Sequence, residues 1–463
     1  MPFMPVTESM FLLAETREHP MHVGGLQLFV PPEDAGDDFG MQLYETFQAA
    51  TDVYKLFRKR PAPPVNFMGT VRWIYDEDLD FEHHVRRIML PRPGRIRELL
   101  RYISAEHSAP LDRHRPMWEL HIIEGLADGR VALYSKIHHS LVDGVSALKL
   151  FERTLTTDPD ARDCGPIWNP ALFERPKKKS TEVAKVDEGG VLSLLSTGVK
   201  AAGELAGVGP AAARIGLNKL RGNEMVLPLT APRTMLNVPI GGARRFASQQ
   251  WSKSRMKDIA AALGVTLNDV VLTMCSGALR SYLIDRNALP DQPLIAMVPV
   301  SMREAGADAD GGNAVTTVLC NLGTDQPDPE RRLAAVVSSM NESKAMMRTL
   351  SPLQALSYGA AVMAPLLLTP VPGFVRNTPP PFNVIISNVP GPKTEMYWNG
   401  AKLDGVYPAS IVLDGQALNI TLATNADNVN FGLVGDRRSV PSLQRMLTHL
   451  DTALEELEKL ADG

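Results

Sequence analysis

His138 and His139, with Asp143 and Gly144 just beyond them, are the residues whose types and spacing best suit chemistry. They close the stretch Arg130 to Gly144, which reads R-V-A-L-Y-S-K-I-H-H-S-L-V-D-G. Val131, Leu133 and Ile137 alternate with Ala132, Tyr134 and Lys136, the period-2 pattern of a half-buried strand. Continued along the chain, that alternation puts His139 on the face of Val131, Leu133 and Ile137, and His138 on the face of Tyr134 and Lys136. The two rings are therefore expected to point opposite ways and to do different work. Leu141, Val145 and Leu148 then recur at helical spacing, and Ser140 or Asp143 is placed to cap that helix. His139 thus stands where a strand gives way to a helix, a common seat for a reactive side chain. A neutral imidazole there can take a proton from an alcohol near neutral pH. The residues themselves leave three uses open: a general base, a structural histidine pair, or a metal site formed by His138, His139 and Asp143. Opposed strand faces and the lack of a C-x-x-C or H-E-x-x-H partner weigh against the metal.

The motif has company. H-H-S-L-V-D-G resembles the H-H-x-x-x-D-G signature of the CoA-dependent acyltransferase superfamily, which includes chloramphenicol acetyltransferase and peptide-synthetase condensation domains. Within it, the chain resembles the bacterial wax ester synthase/diacylglycerol acyltransferase family. Pro110 to Glu119 (P-L-D-R-H-R-P-M-W-E), Thr266 to Leu272 (T-L-N-D-V-V-L), Pro299 to Arg303 (P-V-S-M-R) and Ser387 to Pro392 (S-N-V-P-G-P) follow that family's blocks in order. One such block is weak evidence; the ordered set, spanning nearly the whole chain, is strong.

The resemblance implies an α/β fold with mixed sheets: two chloramphenicol-acetyltransferase-like lobes in one chain, with a central cleft or tunnel. It implies transfer of a long acyl group from acyl-CoA to diacylglycerol or a fatty alcohol. Acyl-CoA is then a substrate, and no cofactor or metal is required. His139 is the expected general base, with His138 as its support. Asp143 is expected to be structural, paired with Arg303 so as to clamp the motif loop. Gly144 is expected to allow tight backbone passage or close ligand approach. Pro116 and Trp118 sit on the partner strand, where Trp118 either flanks the site or is a core tryptophan. The oxyanion of the tetrahedral intermediate needs fixed donors. Asn268 is one candidate, as are Ser387 and Asn388, while Asn268 and Asp269 serve equally well as helix caps. Arg244 and Arg245 are the candidates for binding CoA. Two other readings remain: a superfamily acyltransferase with a different acceptor, and a catalytically inactive lipid-binding or lipid-droplet surface protein.

Composition agrees with an enzyme of this size. With 463 residues the chain is too long for one core. Its parts are expected at 1–160, a first lobe carrying the motif; 161–238, a linker and amphipathic helical connector; and 239–463, a second lobe completing the tunnel. A net charge of -4 gives no general attraction to nucleic acid. Cys164, Cys275 and Cys320 are odd in number and widely spaced, as in a reducing compartment. The N-terminus lacks a basic segment followed by an apolar run. The best apolar run, Ala360 to Leu368, falls short of the about 18 residues that suggest a spanning helix. The protein is expected in the cytoplasm, with a peripheral contact at the membrane or a lipid droplet open to it through Val191 to Arg221.

Several elements must position the motif. Met10, Leu13 and Ala14 suggest a helix over Thr7 to Glu15, and His22 to Val30 a strand. A helix is expected over Gln42 to Phe57, and another over Arg95 to His107. Asp128-Gly129 between two alternating runs predicts that the motif strand pairs antiparallel with the strand of Trp118. His83-His84 lacks a following aspartate and reads as structural.

Overall fold

Period-2 stretches in both halves of the chain assemble two six-stranded sheets, each flanked by helices. The computed structural model describes residues 4–36, 38–63, 72–174, 229–301, 315–369, 371 and 373–463. The strands of the first half are β1 (His22–Val30), β2 (Lys59–Pro61), β3 (Trp73–Tyr75), β4 (Val85–Met89), β5 (Trp118–Glu124) and β6 (Val131–His138). Those of the second are β7 (Arg244–Ser252), β8 (Ile295–Ser301), β9 (Val315–Asn321), β10 (Val384–Val389), β11 (Tyr397–Trp398), β12 (Ala401–Ala409), β13 (Leu418–Asn425) and β14 (Asn428–Asp436).

The first sheet has the order β11-β12-β1-β6-β5-β4, and the second β7-β14-β13-β10-β8-β9. Both are mixed: β4 runs parallel to β5 in the first, and β10 runs parallel to both β8 and β13 in the second. The motif strand β6 lies between β1 and β5 and is antiparallel to both, with Ile137 opposite Trp118 and His138 opposite His22. Gly129, at φ +79°, makes the turn between β5 and β6 that the Asp-Gly pair predicts.

The alternation along β6 is visible in its packing. Val131, Leu133 and Ile137 join a core with Trp118, Trp168 and Phe47. Ala132 and Tyr134 face the other way, into a larger core shared with β7, β13 and β14. The first sheet is therefore buried on both faces.

One crossover was not legible in sequence. Strands β11 and β12, though they follow most of the second half, belong to the first sheet, where β12 pairs with β1. Gly405 and Pro408 disguise β12. Gly405 leaves room for the Tyr407 ring, which a Cβ there would meet at 2.6 Å. β11 reaches only Lys402 and Ala401, so Pro408 stands where β12 is paired on one side, which a strand proline tolerates. The two sheets touch where β12 passes β14. A Cβ on Gly432 would lie 1.8 Å from the Pro408 carbonyl oxygen, an approach only glycine permits.

Other expectations shift. The helix expected over Gln42 to Phe57 is Phe39–Ala49, followed by a separate short turn, Lys55–Arg58. Thr51, Asp52 and Val53 are poor helix formers and break it. The N-terminal helix Val6–Ala14 buries Leu12 rather than Leu13, which is 66% exposed. Of the connector expected at 161–238, its first part packs on the first sheet through the fully buried Trp168. Val191 to Arg221 lies outside the described residues. No single helix among the described residues is long and apolar enough to cross a membrane.

Gly432→Ala is expected to destabilise the protein by about 1–3 kcal/mol, because backbone must move to admit one methyl. A urea titration tests this: the midpoint should fall, and an unchanged midpoint would show that the sheets separate there without cost.

Candidate active site

Backbone hydrogen bonds fix both histidines. His138 N donates to Met117 O at 3.0 Å, and His139 N donates to Met21 O at 2.8 Å. The strand is thus held from the β5 side and from the residue preceding β1. Beyond it, Leu141 N donates to the His138 carbonyl at 2.9 Å, which turns the chain toward the helix Gly144–Glu152.

The two rings then meet different surroundings. His138 is fully buried, its Nδ1 sharing a 2.7 Å hydrogen bond with Ser140 Oγ and its Nε2 lying 3.5 Å from Glu15 Oε1. Burial pushes the Glu15 carboxyl up. The hydrogen bond to His138 and that residue's charge, the Met21 N–H and Arg113 outweigh it, and its pKa falls below the ordinary value.

His139 is half-buried and lines a cavity of about 540 Å³, with Phe11, Ser146, Lys149, Arg153 and Phe173 among its walls. Phe11 stacks on the imidazole at 4.1 Å between centroids. The ring's Nδ1 is buried without a hydrogen-bond partner. Burial lowers the His139 pKa below its usual 6.5, although the Asp143 charge and its own carbonyl oppose the shift. A ring so placed is neutral at pH 7 and borders open space, the two requirements for a general base. His138 is engaged with Ser140 and Glu15, and Asp143 with Ser146, so the three do not converge on one point.

Asp143 caps the motif helix: its Oδ1 accepts from Ser146 N at 2.8 Å and its Oδ2 from Ser146 Oγ at 2.8 Å. Its expected partner Arg303 lies outside the described residues. Gly144 opens the same helix. A Cβ there would meet only Val23 Cγ1 at 3.9 Å, ordinary contact, so the tight backbone passage expected of it is not what the packing requires. Pro116 is buried, its carbonyl accepting from Trp118 N at 2.9 Å. Trp118 is a core residue, donating from Nε1 to Phe57 O at 2.8 Å and stacked on His84. His84 also holds Trp118 through its carbonyl, at 2.8 Å from Nδ1, and burial pushes its pKa down to about 4.

The oxyanion candidates are absent from the described walls of the cavity at His139. The described walls of its cavity all come from residues 8–173, so Asn268, Ser387 and Asn388 do not line it. Asp269 forms a capping box with Thr266, accepting from its hydroxyl at 2.6 Å and its N–H at 3.0 Å. Ser387 and Asn388 are half-buried on β10, opposite Thr421 and Leu422 of β13. Arg244 is buried and structural, donating to the Glu18 carbonyl at 2.5 Å and to the Gly241 carbonyl. Burial pushes its pKa down to about 10. Arg245 lines a different cavity, beside the helix Ile96–Glu106.

A second polar cluster lies behind β6. Glu119, buried on β5, meets Arg86 at 3.2 Å, His121 at 3.3 Å and the buried Lys136 at 3.7 Å. Glu106, Glu119 and His121 have the spacing of a metal site, but Lys136 and Arg86 already neutralise the carboxylate. Sequence reasoning missed Phe11 and Glu15, the residues that set each ring's environment. Periodicity of the N-terminal helix gave the wrong face, and Glu15 follows that helix with no motif of its own.

Asp143→Ala should cost about 0.5–2 kcal/mol through loss of the cap, and Asp143→Asn far less, since asparagine caps nearly as well. Gly144→Ala should fold with stability unchanged within about 1 kcal/mol, because the added methyl meets only ordinary contact with Val23. Thermal denaturation of the three variants checks both statements.

Comparison with known proteins places this geometry. The wax ester synthase/diacylglycerol acyltransferase catalytic domain matches residues 4–271, and the family's C-terminal domain matches residues 311–458. A probable diacylglycerol O-acyltransferase of Mycobacterium tuberculosis is 52% identical over 99% of both chains. The O-acyltransferase WSD of Acinetobacter baylyi is 42% identical over 99% of this chain and 97% of its own. The solved wax ester synthase/diacylglycerol acyltransferase of Marinobacter aquaeolei is similar over the full length of both chains, at 43% identity and a TM-score of 0.79. A condensation domain of the calcium-dependent antibiotic synthetase, at 17% identity and a TM-score of 0.55, shares the fold. The chain belongs to the wax ester synthase/diacylglycerol acyltransferase family and is an O-acyltransferase.

Proposed function

We propose that the protein transfers a long-chain acyl group from acyl-CoA to the hydroxyl of diacylglycerol, giving triacylglycerol, or to a fatty alcohol, giving a wax ester. His139 is the general base. The observation that supports this most is the neutral imidazole bordering a cavity in a chain of this family. His139 takes the hydroxyl proton as the alcohol oxygen attacks the thioester carbonyl. The tetrahedral intermediate then collapses, the C–S bond breaks, and the leaving thiolate takes the proton back from the imidazolium. Atoms balance with no acyl-enzyme and no cofactor. Both substrates are amphiphiles, so the enzyme meets them at a membrane or lipid-droplet surface as a peripheral cytoplasmic protein.

Thiol release from long-chain acyl-CoA, with and without diacylglycerol or hexadecanol, tests the reading. Release should require the acceptor and fall roughly 10²–10⁴-fold in His139→Gln. Release without acceptor, or unchanged by the substitution, would overturn it. The pH profile adds a signed test. Activity needs the neutral ring, so the acidic limb of kcat/KM should lie below pH 6.5, since burial lowers the His139 pKa. Asp143→Asn removes a charge that raises this pKa and should move the limb lower still. Phe11→Ala lets water reach the ring and should move it up.

A further inference from the structure

Outside the His139 cavity, the described residues form a pocket of about 920 Å³ between the helix Ile96–Glu106, the start of β7 and the residues after β14. Five arginines line it and no carboxylate does. In a chain with a net charge of -4, that concentration of one sign is local and specific.

The arrangement follows from secondary structure. Arg97 and Arg101 stand one helical turn apart on the helix and share a face with Ser104, and Ser108 follows just beyond the helix end. Arg245 comes from β7, opposite Gly435, and Arg437 follows β14, its N–H donating to Ala243 O at 2.9 Å. The seam is pinned by backbone donors on serine: Phe246 N to Ser104 Oγ at 2.9 Å, and Arg244 N to Ser108 Oγ at 2.8 Å. Arg244 has its own backbone acceptors. No carboxylate pairs with Arg97, Arg101, Arg245 or Arg437 among the described residues. Burial, then Arg437, Arg101 and Arg97, lower the pKa of Arg245, so the four guanidinium groups repel one another across the pocket. Repelling cations on fixed elements call for a multivalent anion. Ile96, Leu100 and Leu447 add apolar wall beside the charge.

The pocket also has a position relative to the chemistry. Ser108, one of its walls, follows the buried His107, whose ring lies edge-on to His22 at 4.8 Å. His22 pairs with His138 across the strands. His107 and His22 thus connect the residue next to Ser108 with the strand end that presents His139.

We propose that Arg97, Arg101, Arg245 and Arg437 hold the diphosphate and phosphomonoester of the acyl-CoA donor, an inference that rests on reading the chain as an acyl-CoA-dependent transferase. Bidentate guanidinium–phosphate pairing suits that ligand, and the apolar wall suits its adenine. Arg245 belongs to this site, whereas Arg244 supports it.

The test uses the full chain and the double variant Arg97→Gln/Arg101→Gln, whose side chains are exposed and make no ion pair among the described residues. Calorimetric titration measures free CoA binding, and initial rates give KM for acyl-CoA and for the matching acyl-pantetheine, which lacks the nucleotide phosphates. The double variant should weaken CoA binding and raise KM for acyl-CoA about tenfold, leaving kcat and KM for acyl-pantetheine unchanged. Unchanged CoA affinity, or equal loss toward acyl-pantetheine, overturns the proposal even if acyl transfer is intact. Arginine-dependent binding of phosphatidylglycerol vesicles, with CoA binding unaffected, also overturns it and assigns the pocket to lipid headgroups. Arginine-dependent CoA binding in a protein that transfers no acyl group upholds the pocket while defeating the catalytic reading.

Discussion

Two backbone hydrogen bonds decide which way each motif histidine faces: His138 N to Met117 O, and His139 N to Met21 O. They hold adjacent residues in strand geometry up to the end of β6, so the pleat sends one ring to each side. A single-residue slip would exchange the two environments, putting His138 at the cavity and His139 against Glu15. β1 prevents that slip, because its own register is locked on the other side by β12. The crossover of β12 from the second half of the chain is thus part of the active site's foundation, although none of its residues lines the His139 cavity.

The opposed rings have opposite electrostatics. On the buried face, desolvation pushes the Glu15 carboxyl up, but His138, the Met21 N–H and Arg113 together outweigh it and keep Glu15 a carboxylate. On the cavity face, no carboxylate among the described residues pairs with His139, and Asp143 spends both oxygens on Ser146. Desolvation then dominates and keeps the imidazole neutral. The aspartate of the motif acts on the ring through helix capping and distant charge, and a triad-like relay between the two is absent among these contacts. The same separation extends outward. The cavity at His139 and the arginine pocket share no lining residue, and the His107–His22 ring contact lies next in the chain to Ser108 of the latter.

Much of this was legible in the residues. The alternation of Val131 to His139 gave the opposed faces, Asp128-Gly129 gave the β5–β6 hairpin, and the ordered motif blocks gave the family. What failed did so for physical reasons. Gly405 and Pro408 are strand-averse residues that β12 accommodates through a ring packed over one and a free edge beside the other, which only tertiary structure supplies. Phe11 and Glu15 reach the histidines across more than a hundred residues of chain, without any periodic signal. Asn268, Ser387 and Asn388 have the right chemistry for an oxyanion, while the described walls of the His139 cavity are built from other residues.

The central claim is that burial against Phe11 keeps the His139 imidazole neutral near pH 7. Histidine-selective carbon-13 NMR of the intact chain, with the His139 signal assigned by its loss in His139→Gln, measures this directly. The account predicts a titration midpoint below the ordinary 6.5. A midpoint at or above that value would mean that the ring is solvated or ion-paired, and the cavity-bordering general base would have to be abandoned.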